Sequence, residues 1–270
     1  MSDLNGVIAA RRPTIDRYHR LNCAPTVVID MDVHIEPALA WIDRLNAGLP
    51  AGAQRVGLLH AMIKATAIAL RTHTLFNCSY NGRFRLVQND GIDIGAPVVE
   101  GDTSITVVIN GADTMSVTEI AAQFSRHLIE AREEQAHLAR RPWYAETALA
   151  GAVMAVAQNA RQGLRALVPS WESRWLREQH RTLGAFLITD VSGEGVTACH
   201  GQLTAPHLAG LAMLAIRSDV VVESGVPRTR RVLPLALEFD HKLADAGASS
   251  RFLVQIKAAL EAPEKAIENA

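Results

Sequence analysis

The chain has 270 residues, with 27 Lys plus Arg against 28 Asp plus Glu and a formal net charge of −1. Hydrophobic residues make up 49% and charged residues 20%, enough for a buried core and too apolar for a disordered chain. Near-neutrality without a run of like charges argues against the basic face that gripping nucleic acid demands. Three scattered cysteines, Cys23, Cys78 and Cys199, form no CxxC pair, so neither a disulfide frame nor a zinc clamp is expected. The first residues lack an apolar signal core, and Asp3 and Asp16 argue against a transit peptide. The apolar stretches Ala148–Ala157 and Leu208–Ile216 fall short of the roughly 20 residues of a membrane span. A soluble cytoplasmic protein is the expectation.

In chain order, PTVVIDMDV at 25–33 alternates Val27, Ile29, Met31 and Val33 with Asp30 and Asp32, the period of a half-buried strand. Ile35–Asn46 reads as a helix stopped by Gly48 and Pro50. The helix over Val56–Arg71 is apolar over most of its surface and is predicted to be buried. Asn81-Gly82 marks a hairpin between Cys78–Tyr80 and Phe84–Val87. Strands follow at Ile92–Val99 and Ser104–Asn110, then a helix over Ser116–Arg140 opened by a capping box, Ser116 with Glu119. Further strands are predicted at Ala185–Thr189, Val220–Glu223 and Val232–Phe239, and a last helix over Ala248–Glu261, stopped by Pro263. Strands and helices mix without strict βαβ alternation, which points to one α+β domain over 1–270. Within it, 142–180 stands apart as a helical insertion holding Trp143, Trp171 and Trp175, either a hairpin capping the core or a docking or membrane-surface element.

Of ten histidines, His19, His34, His60, His73, His127, His137, His180 and His207 accompany no ordered set of carboxylates or thiols. Cys199-His200 is adjacent in sequence, and on a strand the two would face opposite ways. His241 differs: it closes the apolar strand LPLALEF, with Asp245 four residues on and small residues after it. Such an imidazole can be held in a fixed rotamer at the mouth of a cleft, suited to proton abstraction near neutral pH.

The segment LPLALEFDHKLADAGASSRFLVQIKAALEAP resembles the DHRxxDGA signature of the acyltransferase component of 2-oxo acid dehydrogenase complexes, whose fold is chloramphenicol acetyltransferase-like. PTVVIDMDV, LLHAMIKATAIALRTHTLFNCSYNG, DIGAPVVEGDTSITVVINGADTMSVTEIA and GAFLITDVSG resemble further blocks of the family, in order, over most of the chain. The resemblance implies a mixed sheet flanked by helices, arranged as a homotrimer or a larger assembly of trimers. It implies that His241 is the general base that deprotonates an acceptor attacking an acyl-CoA or acyl-lipoyl thioester. Thr189 falls on the strand hydroxyl that donates to the tetrahedral oxyanion, and Asp245 on the motif carboxylate that orients the loop through an arginine. Arg11, Arg12 and Arg17 are the candidates for that partner. Base and oxyanion donor come from different chains in the family.

Several positions depart from the family pattern. Ala246 and Gly247 replace the motif's single glycine, adding a methyl where the family turns tightly. Lys242 stands for the motif arginine and Asp190 for the strand motif's asparagine, and the 106–111 segment lacks the family's Pro and Arg. No lipoyl domain, swinging-arm linker or subunit-binding domain is recognised in the sequence. The implied activity is therefore acyl transfer between coenzyme A and a lipoyl group on a separate protein, or a small-molecule acceptor, with a lipoyl carrier or dehydrogenase as partner. The alternative is a non-catalytic trimeric or cage-forming core that scaffolds partner enzymes. A condensation-type HHxxxDG reading is disfavoured because residue 240 is Asp.

Overall fold

The computed structural model describes residues 25–81, 85–100, 103–139, 179–201, 203 and 207–268, together with Gly6, Arg11 and Val156. The expected insertion at 142–180 lies outside these residues apart from Val156, Gln179 and His180. The described elements are β1 (Thr26–His34), α1 (Glu36–Gly48), α2 (Leu58–Thr72), β2 (Cys78–Asn81), β3 (Arg85–Gln88), β4 (Ile94–Glu100), β5 (Thr103–Ile109) and α3 (Val117–Ala139). They continue with β6 (Phe186–Asp190), β7 (Ala209–Met213), β8 (Arg217–Glu223), β9 (Val226–Asp240), α4 (Ala246–Glu261) and α5 (Pro263–Ala266).

Seven strands form one mixed sheet in the order β1-β9-β7-β6-β4-β5, with β8 also paired to β9, while β2 and β3 form a separate ribbon. β9 is antiparallel to both β1 and β7; β6 runs parallel to β7 and β4. Alternation decides which face each side chain takes. Val33, Ile94, Val107, Phe186, Ile188, Leu211, Leu233, Leu235, Leu237 and Phe239 join one core with the buried faces of the helices. Within it Phe252 of α4 stacks on Phe76 at 4.6 Å and meets the Phe186 ring edge at 5.8 Å. The opposite face is thinner: Ala212, Leu214 and Ala236 make a small cluster with Val28, Val191 and Cys199.

Besides β8, which begins at Arg217 rather than Val220, and α5, which follows the helix expected to be the last, three differences stand out. β9 is 15 residues long because Ser224 (φ 51°) and Gly225 (φ 81°) form a two-residue turn joining it to β8, with Glu223 opposite Val226. Its first half, 226–231, is mostly exposed, which hid the strand's true start from a reading based on apolar runs. β7 is the second difference: Ala209–Met213 is buried on both faces and so shows no alternation. Finally, α4 begins at Ala246 rather than Ala248. The Ser116–Glu119 capping box is present, with Ser116 N–H donating to Glu119 Oε2 at 2.7 Å and Glu119 N–H to Ser116 Oγ at 3.3 Å.

β6 enters the sheet through a close backbone approach. Gly184 has φ +78°, and a Cβ there would collide with the backbone of Gly95 on β4; a Cβ on Gly95 would in turn strike the Leu183 carbonyl. The imidazole of His207 caps the same crossing, with Nε2 3.1 Å from the Gly184 carbonyl. This junction fixes where β6 delivers its outward-facing residues.

Candidate active site

His241 follows the last residue of β9, and its backbone N–H donates to the Pro25 carbonyl at 2.7 Å. Its Nδ1 lies 2.9 Å from the Ala244 carbonyl. A carbonyl only accepts, so the hydrogen of the neutral ring sits on Nδ1 and the lone pair on Nε2. Asp245 Oδ1 is 3.6 Å from the same Nδ1, and the side chain of His241 remains 35% exposed. An imidazole fixed as this tautomer at a reachable position is able to take a proton through Nε2.

Arg11 locks the loop that carries it. Its Nη1 donates to Asp245 Oδ2 at 2.7 Å and its Nη2 to Asp245 Oδ1 at 3.2 Å. Nη2 also donates to the His241 carbonyl at 2.5 Å, and Nε to the Lys242 carbonyl at 2.8 Å. Of the three candidate arginines, Arg11 therefore meets Asp245; Arg12 and Arg17 lie outside the described residues. Hydrogen bonding to the Arg11 guanidinium holds the Asp245 carboxyl below the usual range. Asp245 is also the residue before the first turn of α4, yet its carboxylate makes no cap hydrogen bond, being turned to Arg11 instead.

The motif departures are absorbed locally. Ala246 is the first residue of α4 and is not among the positive-φ residues, so the expected tight turn at the added methyl does not occur. Lys242 is buried, with Nζ 3.2 Å from Asp240 Oδ2 and 5.4 Å from the centre of the Tyr80 ring. Asp190 ends β6 as a turn acceptor, its Oδ1 receiving the Ser192 N–H at 3.0 Å and Oγ–H at 2.6 Å.

Thr189 points to the thinner face of the sheet, where it lines a cleft of about 220 Å³. Small residues on neighbouring strands, Gly210, Ala212 and Ala236, open that space, and Cys199 and Glu238 also border it. Cys199 and His200 lie in irregular backbone, so the alternation that would have separated them does not apply there. Burial raises the carboxyl of Glu238 above its ordinary range, partly offset by the backbone N–H of Gly201. Nothing in the local pattern marks Glu238: it is an interior residue of an apolar strand, and only the sheet's pairing brings it beside Thr189.

The two candidate residues, His241 and Thr189, are not neighbours within one chain. Thr189 pairs with Ala212 and Ala212 with Ala236, placing Thr189 level with a point five residues before His241. Two strand spacings and five residue rises separate them by about 20 Å along the sheet.

The model of the family described as 2-oxoacid dehydrogenases acyltransferase (catalytic domain) matches residues 8–140 and 154–268. Among curated relatives, the dihydrolipoyllysine-residue succinyltransferase component of the 2-oxoglutarate dehydrogenase complex of Haemophilus influenzae is 26% identical over 78% of this chain and 42% of its own length. The dihydrolipoyllysine-residue acetyltransferase component of the pyruvate dehydrogenase complex of Acholeplasma laidlawii is 25% identical over 88% of this chain and 37% of its own length. Among solved structures, the cubic core of the pyruvate dehydrogenase multienzyme complex superposes with a TM-score of 0.69 at 20% identity, covering 98% of this chain and 91% of that one. A chloramphenicol acetyltransferase gives 0.57 at 16% identity, covering 93% and 94%.

An α+β sheet of this topology, with a histidine locked after its longest strand, defines a chloramphenicol acetyltransferase-like fold. The chain belongs to the 2-oxoacid dehydrogenase acyltransferase catalytic-domain family. It spans less than half the length of the curated relatives it matches.

Proposed function

We propose that this chain transfers an acyl group between coenzyme A and the thiol of a lipoyl group borne by a separate protein, or a comparable small acceptor. The observation that carries the reading is the Nδ1–Ala244 carbonyl hydrogen bond, which leaves the His241 lone pair on Nε2. His241 Nε2 takes the acceptor thiol's proton as its sulfur attacks the thioester carbonyl. The carbonyl oxygen gains negative charge and receives the Thr189 hydroxyl's hydrogen bond, worth about 3–4 kcal/mol. Collapse breaks the bond to the CoA sulfur, and His241 returns the proton to that thiolate. Asp245 and Arg11 are positioning residues that hold the loop.

The separation of about 20 Å within one chain requires the Thr189 of another copy to face His241. A trimer, alone or as the unit of a larger cage, is the assembly we infer. Val220, Val222 and Val226, exposed on the β8–β9 hairpin, supply apolar surface for such contacts. Ala246 starts α4 without a positive φ and Asp190 serves as a turn acceptor, so neither change by itself favours a purely scaffolding role. Among the described residues no helix is long and apolar enough to cross a membrane. Cys78 and Cys199 are free thiols, which supports a reducing compartment such as the cytoplasm.

The test is complementation. His241→Ala and Thr189→Val are each expected to lose at least about 10²-fold in kcat. Co-assembled in equal amounts, the two variants should regain about a quarter of wild-type activity, because a quarter of shared sites then combine an intact His with an intact Thr. Recovery no greater than the sum of the separate variants would refute a site shared between chains. Wild-type turnover no faster than that of His241→Ala would refute catalysis itself.

A further inference from the structure

The cleft beside Thr189 holds a carboxylate that the transfer chemistry does not use. Glu238 sits on β9 opposite Gly210, which in turn pairs with Leu187, two residue rows of the sheet away from the Thr189–Ala212–Ala236 row. Two strand spacings and two rises put the backbones of Glu238 and Thr189 about 12 Å apart. Their side chains reach into the space above Gly210 and Ala212, which offer no bulk of their own. The other lining residues are Leu187, Leu203, Leu211, Cys199 and Gly201.

A cleft of about 220 Å³ is large enough for a short acyl group. If Thr189 donates to the thioester oxygen, the acyl chain begins at that hydroxyl and its far end meets Glu238. The Glu238 carboxyl is half-buried and accepts a hydrogen bond from the Gly201 N–H. Among the described residues, His200 is the charged or titratable group that acts on it, through space.

We infer that Glu238 is a specificity-determining residue, rejecting acyl groups that end in a carboxylate and favouring those that end in a hydrogen-bond donor, ammonium or hydroxyl. A second carboxylate in this cleft would face Glu238 at short range with its water removed. A donor instead satisfies an acceptor that is otherwise costly to bury, and a site built on such a bond discriminates against analogues lacking the donor. Positive charge at that end would also offset the unfavourable field that an ionised Glu238 imposes on the oxyanion forming at Thr189. The inference deepens the proposed function and rests on the placement of the thioester carbonyl at Thr189.

The experiment compares wild type with Glu238→Gln, each as the full chain, on propionyl-, 3-hydroxypropionyl-, 3-aminopropionyl- and succinyl-CoA with dihydrolipoamide as acceptor, the acylated product being separated by chromatography. Wild type should use the hydroxy and amino acyl groups about tenfold better than propionyl in kcat/KM, and succinyl about 10²-fold worse. In Glu238→Gln the succinyl penalty should shrink at least tenfold and the amino preference vanish, while the hydroxyl preference survives on the amide oxygen. The matching S-alkyl-CoA thioethers, which cannot react, are measured in parallel by calorimetry and should follow the same order in Kd. Succinyl used as readily as propionyl, or ratios unchanged in the variant, would overturn the inference. If no acyl-CoA is turned over, the thioether order decides the matter: the expected order sustains the cleft's selectivity while the catalytic reading fails, and a flat order overturns both.

Discussion

Replacing Arg11 by Ala removes four donated hydrogen bonds from the loop at 241–245, two to main-chain carbonyls and two to Asp245. The carboxylate side of this pair is 67% exposed, so its ionic part counts as a surface pair of about 0.5 kcal/mol. Arg11 itself is only 11% exposed, and each carbonyl bond contributes about 1 kcal/mol net. The sum is about 2–3 kcal/mol of lost restraint on the segment that fixes the His241 ring. Expressed fully as misplacement of Nε2, that is a fall of roughly 30- to 150-fold in kcat, with KM changed little. Arg11→Lys should fall between wild type and Arg11→Ala, since one ammonium cannot span both carbonyls and the carboxylate as the planar fork does. The assay is steady-state acyl transfer, read beside the melting temperature of each variant. A kcat for Arg11→Ala within twofold of wild type would refute the claim that this guanidinium holds the imidazole in its working position.

The Asp245 carboxyl is lowered by Arg11, so the pair stabilises the fold above the ordinary carboxylate pKa of about 3.9 and that contribution is lost as pH falls through the lowered value. Asp245→Asn should therefore melt below wild type between pH 5 and 8, as differential scanning calorimetry would record, with the gap closing toward about pH 3. Glu238 has the opposite sign: its raised carboxyl stabilises the folded chain when protonated and costs stability as pH rises through its raised value. Glu238→Gln should consequently melt above wild type at pH 7–8, a difference that narrows toward about pH 4; a lower melting point at pH 8 would contradict the burial argument. Phe252→Ala removes a fully buried ring packed on Phe76 and Phe186, and should cost about 3–5 kcal/mol and roughly 10 °C in thermal unfolding.

Strong period and strong punctuation made most of the fold readable. β1 and α2 carried their patterns over nine and fifteen residues, and the Ser116 capping box marked the start of α3 to the residue. β7 was illegible because burial on both faces erases alternation, and the front of β9 because exposure on both faces does the same from the other side. The Ser224-Gly225 pair was the available signal for that hairpin, a turn dipeptide between two β-branched runs. At the site, His241 stood out through its position after a long apolar strand, and Asp245 through its spacing. Arg11 was one of three equivalent basic residues, because a contact spanning 234 positions leaves no local mark. Glu238 was invisible for the same reason: its proximity to Thr189 is created by strand order.

The pairing of Thr26–His34 with Val232–Asp240, and of Arg11 with the carbonyl 230 positions later, has a kinetic corollary. Ribosomal synthesis delivers β1 long before the strand that will cover its hydrogen-bonding edge. At about 5–20 residues per second, that edge waits some ten seconds or more for its mate. Its alternating aspartates, Asp30 and Asp32, are charges of the kind that keep an unpaired strand from joining another nascent chain during such a wait. The imidazole acquires its fixed orientation only when both distant segments have met, so the geometry around His241 is completed after nearly the whole chain has been made.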